Sequence, residues 1–538
     1  MDKADYVTKV DKIIQDGIRD NKYELVTVDR TAKDLHNFQQ FLYRNFKKHD
    51  KYRDMYPSSH QPARFFGTAK THKFENIESI YKDELTLRPI IDQTGTCYYN
   101  SSQILAKYLQ PLAKNEYKID DTQSFPEFLK SKDKNEDEED VSYDVVSLFT
   151  SIPIEETIDY ICDEIYIRNK LKPFHNKRLI FRNLLRNLAT KCIFSANESL
   201  YRQIDGCTMG GPLSVVLSDI FMGKLEMEVV TPSQPILYGR YVDDCYVRRK
   251  KNTTDELLIA LNRYHRNIQF TTEHNPSKFL DTKIIFDDNN IVTTEVYRKT
   301  NSLPAHWSSQ IPKRYKRNTI NTELYRAKRI SSNFDKEVKI IESKFINANY
   351  PIKYVKSVIK DFNNKTTEQE DEPLIPDWLF DERKFLAIKI PFCEKNESYS
   401  KRFQDKLNDY TEGKFNPVII WQTRKVNSLF TVKDKVLHTS NAIYEGICSC
   451  TNTYIGETDR NNITRWKEHN NPNHNSDAAK HILNNSSHSY QWTILRLTNY
   501  KTNKRRILEA LYIAKYKPEI NNQLEMHKLI LFKHGVPG

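Results

Sequence analysis

An α+β multidomain fold is what the sequence predicts, and three observations predict it. The chain has 538 residues, too many for one ordinary core. From Gln61 to about Thr300, strand-like runs such as SYDVVSLF, LYGRYVDDCYV, FLDTKIIF and IVTTEVYRK alternate with helical stretches. Beyond that, a basic helical stretch, an acidic Pro-containing stretch and an Asn- and His-rich unit follow one another, each of different composition. The expected organisation is a helical, polar segment over 1–60, an α+β unit over 61–300 and a basic helical unit over 301–362. A linker with a βαβ-like segment over 363–427 and a small α/β unit over 428–538 complete it.

Composition narrows the class. Hydrophobic residues make up 38%, with 31 Tyr and 26 Phe, more than a disordered chain carries. Lys and Arg number 83 against 71 Asp and Glu, a net charge of +12 that suits a polyanionic partner such as nucleic acid. The N-terminus, MDKADYVTKVDKIIQDGIRD, lacks the apolar core of a signal peptide. No apolar run reaches spanning length, since PLSVVLSDIF is soon broken by Lys224 and Glu226. The expectation is an intracellular, reducing location without a membrane partner. Scattered cysteines fit buried free thiols there; Cys448 and Cys450 are the exception.

Individual elements follow from local pattern. SKDKNEDEED (131–140) is a charge run and reads as a solvated loop. PKRYKRNTINTELYRAKRI and DKEVKIIESKFINANY read as helices, NNKTTEQEDEPLIPDW (363–378) as a linker. LAIKIPF, a polar helix and NPVIIWQT then form the βαβ-like segment.

Asp243 and Asp244 stand between the strand runs LYGRYV and CYVRRK, where strand propensity would not put them. A hairpin with the aspartates at or near its turn is the structural expectation. The chemical one is a divalent-cation site, because Mg²⁺ prefers carboxylate oxygens and a two-metal site holds ions ~3.5–4 Å apart with carboxylates from more than one segment. VSYDVVSLFTSIP supplies the further carboxylate, Asp144, again interrupting a strand-like run. Between them, QIDGCTMGGPLSVVLSDIFM places Gly206, Gly210 and Gly211 before an apolar helix, a turn that lets backbone approach a flat ligand. Upstream, ARFFGTAKTHK and LTLRPIID carry Lys70, Lys73 and Arg88, residue types suited to a triphosphate.

A basic strand pair, an Asp strand, a Gly turn with a helix and a YVDD hairpin, in that order, resemble the fingers and palm of reverse transcriptases. The resemblance covers roughly residues 60–360. It implies a right-hand polymerase whose thumb is the basic helical unit, gripping duplex backbone through phosphates. Within it, TMGGPLS, RYVDD, DVVSLFTSIP and VYRKT are similar to Penelope-like retroelements, relatives of telomerase. What this implies is an RNA-directed DNA polymerase in which Asp144, Asp243 and Asp244 hold two Mg²⁺. Lys70, Lys73 and Arg88 would contact the incoming deoxynucleoside triphosphate. Phe149 matches the aromatic that blocks a 2′-hydroxyl, and Met209 and Gly210 stand at the nucleotide. Members of this group often carry a longer N-terminal segment, so the resemblance implies a truncated N-terminus here.

In the last unit, AIYEGICSCTNTYIGETDRNNITRWKEH holds two Tyr-bearing strand runs and a helix with Arg465 and His469 on one face. KRRILEALYIAKYKPEINN adds a helix carrying Glu509. Two Tyr, an Arg, a His and a Glu are the parts of a single-metal phosphodiesterase: Glu for the cation, Arg for phosphate charge, Tyr or His for the water proton.

These strings resemble the GIY-YIG endonucleases, with AIY (Ala442 for the usual Gly), an intact YIG, and later elements in order. The resemblance makes Tyr444 and Tyr454 the motif tyrosines, Arg465 the catalytic arginine, His469 the helical histidine, Glu509 the Mg²⁺ ligand and Asn521 the late asparagine. Penelope-like elements carry a Cys/Cys/His/His set in this nuclease. Here Cys448, Cys450, His481 and His488 match it, with C-x-C where the family has C-x₂-C, and imply a structural Zn²⁺. Partners expected are an RNA template, target DNA and dNTPs, and nuclear action follows from the chromosomal substrate. The alternative is a decayed or domesticated relative that binds RNA without catalysis; the intact carboxylates, Tyr454, Arg465 and Glu509 speak against it.

Overall fold

A computed structural model describes residues 3–57, 59–70, 85–197, 199–298, 304–366, 384–413, 415–422, 441–497 and 502–522. Its centre is a four-stranded antiparallel sheet in the order β7-β8-β4-β9, made of β4 (Glu138–Val145), β7 (Leu237–Tyr241), β8 (Asp244–Lys250) and β9 (Phe270–His274). Alternation decides its faces. Val141, Tyr143 and Val145, with Cys245 and Val247 opposite, point into the largest hydrophobic core. Helices Ile154–Tyr166 and Ser214–Leu225 close that core with Ile158, Ile161, Leu217 and Phe221. On the other face Tyr246 packs with Phe125 and Phe279.

The charged stretch 131–140 departs from the expected loop. Glu138, Glu139 and Asp140 open β4 instead. Asp140 is buried, with Arg248 at 2.8 Å and Lys134 at 3.0 Å, and Glu139 meets Arg249 at 2.7 Å. Opposite charges on the facing strand let carboxylates enter a sheet that composition alone would exclude them from.

A second sheet, ordered β1-β6-β5-β2-β3, contains β1 (Tyr23–Leu25), β2 (Ala63–Ala69), β3 (Leu87–Asp92), β5 (Ile193–Ala196) and β6 (Ser199–Gln203). Helix Lys3–Arg19 lays Val10 and Ile14 against Ala63, Leu87 and Phe194. The Tyr6 hydroxyl accepts a hydrogen bond from the Gly67 amide at 2.8 Å. The N-terminal segment thus shares its core with the strands that follow.

Strands β10 (Lys278–Phe279), β11 (Thr282–Phe286) and β12 (Val292–Val296) form a small antiparallel sheet. Val296 joins the core of a three-helix bundle, Lys313–Ile330, Phe334–Asn347 and Ile352–Thr366, centred on Ile320, Leu324, Ile341, Phe345 and Val358. A parallel pair, β13 (Lys384–Pro391) and β14 (Phe415–Gln422), is bridged by helix Glu394–Tyr410 as a βαβ unit. In the last unit β15 (Ala442–Cys448) lies between β16 (Thr453–Thr458) and β17 (Tyr490–Leu497), with helices Asn462–His469, Asp477–Asn484 and Thr502–Tyr516. The whole is a mixed α+β, multidomain fold. Among the described residues no helix is long and apolar enough to cross a membrane.

Candidate active sites

Strand register builds the first site. Asp144 and Asp244 are direct cross-strand partners of β4 and β8, and the Val145 amide donates to the Asp243 carbonyl at 3.0 Å. Tyr241 pairs with Asp244, so Val242 and Asp243 form a two-residue turn. Val242 sits at φ +58°, a region that a β-branched residue avoids. Asp144 is exposed, Asp243 and Asp244 half-buried. The register thus puts Asp244 directly opposite Asp144 and Asp243 at the tip beside them. Like charges facing each other across a strand pair repel. A donor set of carboxylates alone suits a hard divalent cation, which would remove that repulsion.

Phe149 follows on the short helix Leu148–Ser151, entered through Ser147 at φ +52°. Its carbonyl accepts from the Cys207 amide at 2.6 Å. Gly206 is required here: at φ +73°, a Cβ would lie 2.5 Å from the Thr150 carbonyl oxygen. Met209 and Gly210 dock on β3 instead. The Ile91 amide donates to the Met209 carbonyl at 2.8 Å, and Gly210, at φ +120°, leaves no room for a Cβ beside the Ile91 carbonyl. β3 also carries exposed Arg88, paired with Thr68 of β2; Lys70, just past β2, is half-buried with its amide on the Thr86 carbonyl at 3.0 Å. Lys73 lies outside the described residues.

The second site is assembled inside the last unit. Tyr444, with no exposed surface, brings its hydroxyl to His469 Nε2 at 2.6 Å, and Arg465 Nε donates to the same hydroxyl at 3.3 Å. His469 Nδ1 meets Ser476 Oγ at 2.8 Å. Gly456 of the YIG run is fixed by this contact, because a Cβ there would stand 2.5 Å from the Tyr444 hydroxyl oxygen. Tyr454 lies edge-on to His469, ring centroids 5.1 Å apart.

Burial sets the protonation states. It raises Tyr444 well above the ordinary phenol range, and with Arg465 beside it lowers His469 to about 3, so the imidazole is neutral. Burial, then the Glu457 charge, raises Glu509 to about 7. Glu457 itself is paired to Arg505. Asn521 bonds both ways to the Ile455 backbone, at 2.8 and 2.7 Å, and so ties the chain after the last helix to β16. Its role is positional.

Cys448 ends β15, Cys450 lies in the turn after it, His481 stands on the helix Asp477–Asn484 and His488 just before β17. Their ligand atoms all lie within 4.8 Å of one another. Sγ of Cys448 is 3.3 Å from His481 Nε2 and 3.5 Å from His488 Nδ1, and Cys450 Sγ is 3.4 Å from His481 Nε2. Tetrahedral ligands at Zn–S and Zn–N distances are ~3.3–3.8 Å apart, so the set fits that geometry. The C-x-C spacing reaches because Thr451, at φ +73°, closes a tight turn back to the Cys448 carbonyl.

Sequence reasoning did not find the buried charges under the first site. Arg240, Asp219 and Glu226 read as isolated residues along the chain, and only the fold brings them together.

A family model described as an animal helix-turn-helix domain matches residues 305–360, the region of the three-helix bundle. No curated protein matches the chain. Among solved structures it is similar to telomerase from Candida albicans in complex with a TWJ fragment of telomeric RNA, at 11% identity and a TM-score of 0.39, over 56% of this chain and 60% of that one. It is also similar to apo telomerase from Candida tropicalis, at 10% identity and a TM-score of 0.37, over 68% of this chain and 64% of that one. The chain therefore spans less than two thirds of the length of these telomerases.

Proposed function

We propose that the chain is an RNA-directed DNA polymerase of the Penelope-like retroelement kind, coupled to a C-terminal GIY-YIG endonuclease that nicks target DNA. One observation carries the reading: carboxylates from two separate chain segments, Asp144 and Asp243–Asp244, meet at one end of one sheet. Asp144, Asp243 and Asp244 would hold two Mg²⁺, which when bound supply charge neutralisation at the transferred phosphoryl group. Lys70, Lys73 and Arg88 contact the triphosphate, Met209 and Gly210 stand at the nucleotide, and Phe149 excludes a 2′-hydroxyl. The three-helix bundle, with Lys313, Arg314, Lys328 and Arg329 exposed on its first helix, grips the template–primer backbone.

In the nuclease, Glu509 holds one Mg²⁺, Arg465 offsets phosphate charge, and the neutral His469 with Tyr444 and Tyr454 manages the proton of the attacking water. Cys448, Cys450, His481 and His488 bind a structural Zn²⁺ that closes the loop between the two tyrosine strands. The nick supplies the 3′-hydroxyl that the polymerase extends along an RNA template, which places the activity on chromosomal DNA in the nucleus.

Primer extension on poly(rA)·oligo(dT) and plasmid nicking, run on one preparation, test this. Asp243→Ala should abolish extension and spare nicking; Glu509→Ala should do the reverse. Mg²⁺-dependent extension no greater in wild type than in Asp243→Ala would favour a decayed RNA-binding relative instead.

A further inference from the structure

Beneath the Val242–Asp243 turn lies a buried ionic cluster. Arg240 has no exposed surface and stands on β7, three residues before Asp243. Its Nε donates to Glu226 Oε1 at 2.5 Å and its Nη2 to Glu226 Oε2 at 3.2 Å. Its Nη1 donates to Asp219 Oδ1 at 3.3 Å and to the Val242 carbonyl at 3.0 Å. Lys118 Nζ reaches the other Asp219 oxygen at 2.6 Å, and Asn115 Nδ2 reaches Glu226 Oε2 at 2.5 Å. The backbone is held as firmly. The Arg240 amide donates to the Tyr117 carbonyl at 2.7 Å, and the Ile119 amide to the Arg240 carbonyl at 2.8 Å.

Stability alone does not explain this construction. Apolar side chains of similar volume hold a core as well as a buried ion cluster does, and often better. Burial opposes the Arg240 charge, and Glu226 is what raises the guanidinium above its ordinary range. Glu226 opens a π-helical turn, Glu226–Val230, that continues helix Ser214–Leu225; such turns concentrate at functional places. The one thing an apolar residue could not do is bond the carbonyl of Val242, the residue held at φ +58°. A lysine could not do it either while also meeting Glu226 and Asp219, because only the planar fork presents donors in all three directions.

We propose that Arg240 is a positioning residue: clamped by Glu226 and Asp219, its guanidinium fixes the Val242 carbonyl and so aims Asp243 at the cation shared with Asp144. The inference rests on the metal-site reading of these aspartates. It makes the charged cluster part of the site's second layer of support, acting through Asp243 and touching no substrate.

Mn²⁺ titration of the full chain, followed by electron paramagnetic resonance, tests it alongside thermal unfolding and primer extension. Four proteins are compared: wild type, Asp243→Asn, Arg240→Lys and Arg248→Lys. Arg248 is the control, a buried arginine of the neighbouring strand that bonds Asp140 at 2.8 Å and the Lys132 carbonyl. Wild type should show Mn²⁺ binding that Asp243→Asn loses. Arg240→Lys should weaken that binding about tenfold or more, as loss of a supporting partner does. Arg248→Lys should leave it within about twofold, since a site without shared partners adds independently. Glu226→Gln, which keeps an acceptor and removes the charge, should weaken binding in the same direction and serves if Arg240→Lys does not fold. Wild-type affinity in folded Arg240→Lys, or an equal loss in Arg248→Lys, overturns the inference. Asp243-dependent Mn²⁺ binding without primer extension overturns the polymerase reading while leaving Arg240 in its place. No Asp243-dependent binding in wild type overturns both.

Discussion

Asp144 is exposed at the end of β4, whereas Tyr444 and His469 have no exposed surface at all. The carboxylate site is open, made by strand register and a two-residue turn, with the Arg240, Glu226 and Asp219 charges buried beneath it. The tyrosine–histidine site is closed, its groups bonded to one another before any ligand arrives. The difference teaches where each site keeps its charge. Like charges that face each other across a strand pair repel, and carboxylate oxygens are the donors a hard divalent cation prefers. A closed site must settle protonation by burial, which is why His469 is neutral and Glu509 is raised to about 7.

The sharpest way to break the comparison is to remove one carboxylate from each site. Asp144→Ala should lower primer-extension rate by roughly a thousandfold or more and leave nicking unchanged, with Glu509→Ala showing the converse in steady-state assays. Loss of both activities from either change would mean that the two sites are not separate machines.

Next comes the cysteine–histidine cluster. Purified protein should contain one zinc per chain by elemental analysis. Cys450→Ala should lose it and lower the unfolding temperature of the C-terminal unit by about 10 °C or more, with extension retained. A zinc-free wild type of unchanged nicking rate would remove the staple from the account.

The third measurement asks whether burial sets Glu509. Without added Mg²⁺, the folded state keeps a proton on Glu509 up to about 7, while the unfolded chain releases it near 4.5. The folded state therefore binds more protons between those values, and stability falls as pH rises through that window, by up to about 3 kcal/mol. His469, lowered from 6.5 to about 3, acts the opposite way between those values, where stability rises with pH. Unfolding temperatures of wild type and Glu509→Gln at pH 5 and 8 separate the two, because only the Glu509 contribution disappears in the variant. Parallel slopes would show that burial does not govern this carboxyl.

The smallest effect sharpens the packing side. Gly206→Ala meets the Thr150 carbonyl and Gly456→Ala meets the Tyr444 hydroxyl, each with the Cβ 2.5 Å away. Each should cost about 2 kcal/mol in denaturant unfolding, Gly206→Ala lowering extension and Gly456→Ala lowering nicking.

Much of this was legible along the chain. Aspartates interrupting a strand-like run pointed to a turn, and the described hairpin has its turn at Val242–Asp243. The parallel pair β13–β14 and the Tyr-bearing strands β15 and β16 stand where strand runs were expected. Other features were not legible. Asp140 looked like a loop charge because its partner, Arg248, is more than a hundred residues away and belongs to another strand. β1 is only three residues long and gains its strand character from pairing with β6. β17 and helix Asp477–Asn484 are short elements within an Asn- and His-rich stretch, so the positions of His481 and His488 came from the fold alone.

What the sequence determined by itself is local: which runs are strands or helices, where glycine is needed, and which residue types could bind cations, phosphates or zinc. Period-two and helical patterning, turn chemistry and ligand type are all properties of neighbours in the chain. Tertiary structure decided which of those residues meet. Asp244 opposite Asp144, Tyr444 against His469, and Arg240 between Glu226 and Asp219 depend on strand register and on packing across long separations. A register shift of one residue would turn each side chain to the opposite face, so no composition or motif could settle it.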